Sequence, residues 1–115
     1  LRMKQAKVNY DTSFDVLTGN GRSQAAVMVL EAGKSEGGEN NRHRGSDQWL
    51  YVAAGTGLAT INGDDYRLHP GSLLLIEHGD THQIRNDGAE PLQTLNFYVP
   101  PGYTDENEEL PAGKS

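Results

Sequence analysis

The feature that most constrains this 115-residue chain is its punctuation. Short apolar segments recur at roughly eight-to-twelve-residue intervals, each closed by a turn-forming cluster. Those clusters are Gly19-Asn20-Gly21, Gly55-Thr56-Gly57, Asn62-Gly63, Pro70-Gly71, Gly79-Asp80 and Asp87-Gly88. Asn-Gly is the pair that a type I′ hairpin turn demands, because both of its central residues need positive φ. Between turns the side chains alternate. Gln48, Leu50, Val52 and Ala54 share one parity, and Trp49, Tyr51 and Ala53 the other. His82, Ile84 and Asn86 likewise oppose Thr81, Gln83 and Arg85. No segment shows a helical period. The chain is therefore expected to be all-β, a sandwich or closed barrel, and a jelly roll suits its size.

The strands expected are Ser23–Leu30, Trp49–Ala54, Leu58–Asn62, Tyr66–Leu68, Ser72–Ile76, the segment after Gly79-Asp80, and Leu92–Val99. Residues 1–22 read as an N-terminal arm or edge strand, 23–99 as the barrel, and 100–115 as a mobile or draped tail. The near-continuous apolarity of Ala25 to Leu30 implies burial on both faces, or one face covered by a partner subunit. Residues 31–48 are polar and glycine-rich and read as an exposed loop. Met3-Lys4-Gln5 reads as a natural start, with Leu1-Arg2 an added remnant or the product of another start.

A chain of this length is one domain and buries a core without disulfides. It has no cysteine, which removes thiolate metal sites and cysteine nucleophiles. The net charge of -6 argues against nucleic acid as a partner. Part of the acidic excess lies in Asp105, Glu106, Glu108 and Glu109, read as a solvated tail. No apolar run approaches a membrane span and no signal-peptide pattern opens the sequence, so a cytoplasmic protein without a membrane partner is expected.

One residue raises a chemical question. His82 shares a face with Ile84, so an imidazole is expected to look inward, where it needs a hydrogen bond, a charge or a metal ion. His69 and His78 flank turns and are expected to be exposed. Trp49, Tyr51, Phe97 and Tyr98 read as core or dimer contacts, with one of Phe97 and Tyr98 facing the interior.

Taken together, these residues resemble a small single-domain cupin. Gly38 to Gly55 fits the first cupin motif, with Asn41-Arg42-His43 where His-x-His belongs and Gln48 where Glu belongs. Gly63, Glu77-His78-Gly79-Asp80-Thr81-His82 and Asn86 fit the second, with Glu77 in place of Pro. The resemblance implies a double-stranded β-helix with a pocket inside it. It also implies that Asn41, His43, Gln48 and His82 stand where such proteins hold a divalent transition metal: Zn, Mn, Fe or Ni. Asn41 and Gln48 depart from the pattern by replacing a histidine and the carboxylate. Amide oxygens are weaker, neutral donors, so affinity falls. Glu39, by its parity with His43, or Asp47, if Gly45-Ser46 bulges, would restore a carboxylate.

The resemblance implies a metal-dependent enzyme on a small organic molecule, of dioxygenase, isomerase or decarboxylase type. The alternative is a metal-free binding or sensor domain for a sugar or organic acid. In that case His43, Gln48, His82 and Asn41 make hydrogen bonds only. Arg42 and Arg44 flank His43 and either recruit an anionic substrate or stay solvated. Homodimerisation is expected, with the Ala25–Leu30 strand as a candidate interface.

Overall fold

The structure is a computed structural model and describes residues 3–38 and 43–114. Nine strands occur among the described residues: β1 (Phe14–Gly19), β2 (Gln24–Leu30), β3 (Ser35–Gly38), β4 (Asp47–Ala54), β5 (Gly57–Ile61), β6 (Asp64–Leu68), β7 (Leu73–Ile76), β8 (His82–Arg85) and β9 (Leu92–Val99). They form two antiparallel sheets, a five-stranded one in the order β1-β2-β9-β4-β7 and a four-stranded one in the order β3-β8-β5-β6. The only helical element among the described residues is one 3-10 turn, Pro111–Gly113. No helix among the described residues is long and apolar enough to cross a membrane.

The turns form where the residue types demand them. Asn62 and Gly63 both take positive φ, 51° and 84°, so the β5–β6 hairpin carries the turn its Asn-Gly pair dictates. Gly71 and Gly79 also take positive φ. At Gly55 two demands coincide. Its φ is 86°, and a Cβ there would stand 2.3 Å from the Pro91 carbonyl oxygen.

Alternation then decides what is inside. Gln48, Leu50 and Val52 of β4 are buried, while Trp49 and Tyr51 are exposed. Leu50, Leu68, Ile76, Ile84 and Leu92 are almost wholly withdrawn from water and meet between the sheets. Each such side chain contributes about 1.5–3 kcal/mol. Ala26 to Leu30 are all buried within the single chain. That strand is thus no exposed interface.

One expectation needs correction. Ser35-Glu36-Gly37-Gly38 forms a strand rather than an exposed loop, paired to β8 with Gly38 opposite His82 and Glu36 opposite Ile84. Two glycines carry no β-propensity; the ladder offered by β8 overrides it. Of the two roles expected for Trp49, Tyr51 and Phe97, core or dimer contact, their 40%, 41% and 40% exposure leaves the second, and Tyr98 is the member of its pair that faces inward, as one of the two had to.

The tail folds back on the barrel. Leu110 N–H donates to the Gly102 carbonyl at 2.8 Å. The Ala112 carbonyl accepts from the N–H groups of Gly45 (3.0 Å) and Ser46 (2.9 Å), and the Lys114 carbonyl accepts from Arg44 N–H at 2.8 Å.

Gly55→Ala is expected to lower stability by more than about 1 kcal/mol, since it adds a backbone clash to an unfavourable φ. Gly63→Ala, where a Cβ meets open space, is expected to cost only the roughly 1 kcal/mol of the left-handed conformation. Urea unfolding of both variants measures the difference; equal losses would contradict the close approach of Pro91.

Candidate functional site

The site is assembled at the turn before β8. Asp80 Oδ2 accepts from Glu77 N–H at 2.9 Å, and Asp80 N–H donates to the Glu77 carbonyl at 3.0 Å. Asn62, at the tip of the β5–β6 hairpin, braces the same turn. Its Nδ2 donates to Asp80 Oδ1 at 2.9 Å and its Oδ1 accepts from Thr81 N–H at 3.0 Å. Gly79 N–H donates to the His43 carbonyl at 2.8 Å, which ties the segment entering β4 to the one entering β8. The result brings the His43 and His82 rings to a centroid distance of 5.0 Å, inclined at 37°. Both are buried.

Gln48 projects inward from β4 and is 3% exposed. Its Oε1 lies 3.0 Å from His43 Nε2, and its Nε2 donates to Asn96 Oδ1 at 2.9 Å. Asn96 Nδ2 donates to Thr94 Oγ1 at 2.9 Å, and the Thr94 hydroxyl donates to the Met28 carbonyl at 2.8 Å. On its other side, His43 Nδ1 lies 2.7 Å from the Gly113 carbonyl oxygen. A carbonyl only accepts, so Nδ1 carries a proton, and in the neutral ring Nε2 is a lone pair. Burial holds the His82 pKa below its ordinary value, the nearby His43 lowers it further, and the Asp80 carbonyl opposes both. Its neutral, lone-pair form is therefore favoured.

These residues open onto a cavity of about 600 Å³. Phe14, Met28, Leu30 and Ile84 give it apolar walls. Tyr98 faces His43 edge-on at 5.5 Å and Tyr103 at 5.0 Å. Burial pushes the Tyr98 phenol well above its ordinary value. The Tyr103 phenol is pushed up to about 12, by burial and then by the Glu109 carboxylate. Both stay protonated in any ordinary buffer. A hydrogen bond joins the two phenols, and both line the cavity.

Three of the expected site residues, His43, Gln48 and His82, thus come together. Asn41, Glu39 and Arg42 lie outside the described residues. Asp47 supplies nothing to the pocket. It faces away, where its Oδ1 accepts from His78 N–H at 2.9 Å and from His78 Nδ1 at 2.8 Å. The carboxylate that lines the cavity from β3 is Glu36, which its register with Ile84 turns toward the cavity. Glu36 escaped notice because its strand was not recognised; Tyr103 and Gly113 because a tail carries no signal of where it lands. Asn96 stood on the inward parity of β9 and was legible there.

The donor set bears on the metal that the fold class implies. Among the described residues, no three His, Asp or Glu side chains gather as a metal-binding group. Two imidazoles and an amide oxygen do converge. His43 Nε2 and Gln48 Oε1 lie 3.0 Å apart, close to the roughly 3 Å that separates adjacent ligand atoms on an ion bound at about 2.1 Å. Imidazole nitrogen and amide oxygen are both donor types that a divalent transition metal accepts, so the chemistry of these residues is compatible with such an ion.

The cupin domain family matches residues 26–98, and the chain belongs to that family. Its relatives have diverse roles. It is 30% identical over 102 residues to an L-ectoine synthase of Saccharopolyspora erythraea, covering 79% of this chain and 74% of that protein. It is 29% identical over 81 residues to the tetracenomycin polyketide synthase protein TcmJ of Streptomyces glaucescens, covering 70% and 54%. The chain spans little more than half the length of several such relatives, 54% of TcmJ and 60% of an oxalate-binding protein of Thermotoga maritima. Among solved structures, it superimposes on a predicted oxalate decarboxylase of Thermotoga maritima with a TM-score of 0.68 at 26% identity, covering 76% of this chain and 79% of that one.

The Asp47–His78 pair gives a test of where Asp47 points. His78 is held above its ordinary value by its hydrogen bond to Asp47, and Asp47 below its own by the bonds from His78. The stability they contribute is full between the ordinary values, 3.8 and 6.5. It is lost as pH rises through the raised His78 value and as pH falls through the lowered Asp47 value. Exposure keeps it small. In an NMR titration, His78 is expected to titrate above 6.5 and to fall back in Asp47→Asn. An unshifted His78 in the unmodified protein would put Asp47 elsewhere.

Proposed function

We propose that this cupin binds a small polar organic molecule, an organic acid or sugar, beside a divalent transition metal held by His43, His82 and Gln48, and acts on it as a metal-dependent enzyme. The observation that carries this reading is the convergence of His43 Nε2 and Gln48 Oε1 in a buried corner of the cavity. A divalent ion there supplies Lewis acidity to a carbonyl or carboxylate oxygen of the ligand. The neutral Gln48 amide beside His43, where the family pattern has a carboxylate, favours isomerase or decarboxylase chemistry over dioxygenase chemistry. The relatives described as oxalate-binding and as a predicted oxalate decarboxylase support the ligand class.

The chain's own residues do the rest. Phe14, Met28, Leu30 and Ile84 shed water from the ligand. The Tyr103 O–H donates a hydrogen bond, and the Glu36 carboxylate accepts one from a ligand hydroxyl. Gly113 holds His43 by Nδ1 and so leaves Nε2 for the site.

Metal-free binding of a sugar or organic acid is the second reading. The Gln48 amide favours it, since a carboxamide both donates and accepts. Metal content separates the two. Mass spectrometry of protein purified without chelator is expected to give about one ion per chain, lost in His43→Ala and in His82→Ala while both stay folded by circular dichroism. No metal after reconstitution would sink the metal-dependent reading and leave the polar pocket.

The same proposal includes a homodimer. Trp49 stands between Leu75 and Phe97, and Tyr51 beside Leu73, on the outer face of the five-stranded sheet. All five are exposed large hydrophobic residues. A flat apolar sheet face of this kind packs against the same face of a second copy. Sedimentation at micromolar concentration is expected to show a dimer that Trp49→Lys dissociates; a monomeric unmodified protein would overturn it.

A further inference from the structure

The chain of side chains behind Gln48 runs away from the pocket, through the core, and touches no ligand position. Gln48, Asn96 and Thr94 are nonetheless all buried, two of them completely. Burying two carboxamides and a hydroxyl between sheets costs stability unless each finds a partner, and here each does. What the chain accomplishes follows from its direction.

A primary amide can face a neighbour with oxygen or with NH2, and the network decides which. This network has one end that cannot turn. The Met28 carbonyl belongs to β2 and only accepts, so the Thr94 hydroxyl spends its single proton there, at 2.8 Å. Thr94 Oγ1 is then only an acceptor, and Asn96 must turn Nδ2 toward it. That leaves Asn96 Oδ1 to face Gln48, which must answer with Nε2. Gln48 Oε1 is thereby turned to His43. Each link from Met28 to Gln48 has one donor per acceptor, so with the Thr94 hydroxyl on Met28 the orientation passes from the backbone of β2 to the pocket.

We propose that Thr94 and Asn96 are positioning residues of the pocket: with the Met28 carbonyl as anchor, they orient the Gln48 amide so that it presents oxygen, and not NH2, beside His43 Nε2. The proposal rests on the metal reading for its use, though not for its geometry. With oxygen forward, Gln48 is an acceptor toward a cation or a ligand hydroxyl. With NH2 forward it would hydrogen-bond the His43 lone pair and close that corner to a cation. The reversed arrangement requires both amides to turn and the Thr94 hydroxyl to leave Met28 for Asn96. It leaves the Met28 carbonyl without that bond. The register of β9 against β2 and β4, with Thr94 opposite Met28 and Tyr98 opposite Gln48, is what lines the three side chains up.

The chain also bears on the replacement of the family's glutamate. A carboxylate at position 48 could not donate to Asn96 Oδ1. Asn96 would have to reverse, and Thr94 with it. Gln48 and Asn96 are matched to each other.

The test begins with metal-free protein and needs no activity. NMR of the protein labelled at its side-chain amides is expected to show cross-peaks from the Gln48 NH2 to Asn96 and none to the His43 ring. Gln48 NH2 against the His43 ring in the unmodified protein would overturn the proposal outright. Thr94→Val removes the anchoring hydroxyl at nearly constant volume, and Thr94→Ser retains it. Calorimetric titration with Mn²⁺ or Zn²⁺ is expected to show affinity reduced about ten- to hundred-fold in Thr94→Val and restored in Thr94→Ser. The Gln48 NH2 cross-peaks should move to His43 in the valine variant alone. Loss of stability in Thr94→Val with the cross-peaks unmoved would make Thr94 merely structural and refute its positioning role. A protein that binds no metal refutes the metal reading, while the cross-peaks still decide the orientation.

Discussion

The pairing of β4 with β9 is the constraint on which the rest depends. It sets Gln48 opposite Tyr98, Leu50 opposite Asn96 and Val52 opposite Thr94, and the period of two does the remainder. One face of these strands carries the pocket, the buried amide chain and part of the apolar core. The other carries Trp49, Tyr51 and Phe97 to the surface. A slip of one residue would exchange the two sets completely. Burial of Leu50 and Val52 opposes such a slip, and so does the cost of stranding Gln48 and Asn96 without partners.

The site is consequently a product of long-range closure. His43 comes from the segment before β4, His82 from the start of β8, Asn96 and Tyr98 from β9, and Tyr103 and Gly113 from the tail. Every hydrogen bond that orients His43 and Gln48 joins residues far apart in sequence, apart from the bond between these two. Gly113 contributes a carbonyl rather than a side chain. It selects the His43 tautomer by offering Nδ1 an acceptor, which any residue type at that position does equally well. A residue of no chemical distinction thus decides which ring nitrogen faces the pocket.

Electrostatics within the cavity separate two kinds of group. His82, Tyr98 and Tyr103 are all shifted by burial toward their neutral forms. They serve as lone-pair and O–H partners rather than as charges. Charge is confined to the cavity's margins, where Glu36, Glu109 and Lys114 line it. The pocket floor is thus built from neutral donors and acceptors, which suits an uncharged polar portion of a ligand or a cation that these groups can share.

Local chemistry determined a great deal by itself. Asn62-Gly63, Pro70-Gly71 and Gly79-Asp80 turn where they do because few other residues tolerate the backbone they need. Strict alternation set His82, Ile84 and Asn86 on one inward-looking face before any contact was known. The cupin motifs, laid over that pattern, made the fold and three of the pocket's polar side chains legible. Only the tertiary structure decided that Ser35–Gly38 is a strand, since its glycines pair through backbone alone and β8 has to be present to receive them. Only the tertiary structure turned Asp47 outward to His78 and Glu36 inward to the cavity, because register, not residue type, sets which carboxylate faces in. It also brought Gly113 to His43 and Thr94 to Met28. Those contacts pair a side chain with a backbone carbonyl. Every residue has such a carbonyl, so nothing in the sequence can single one out.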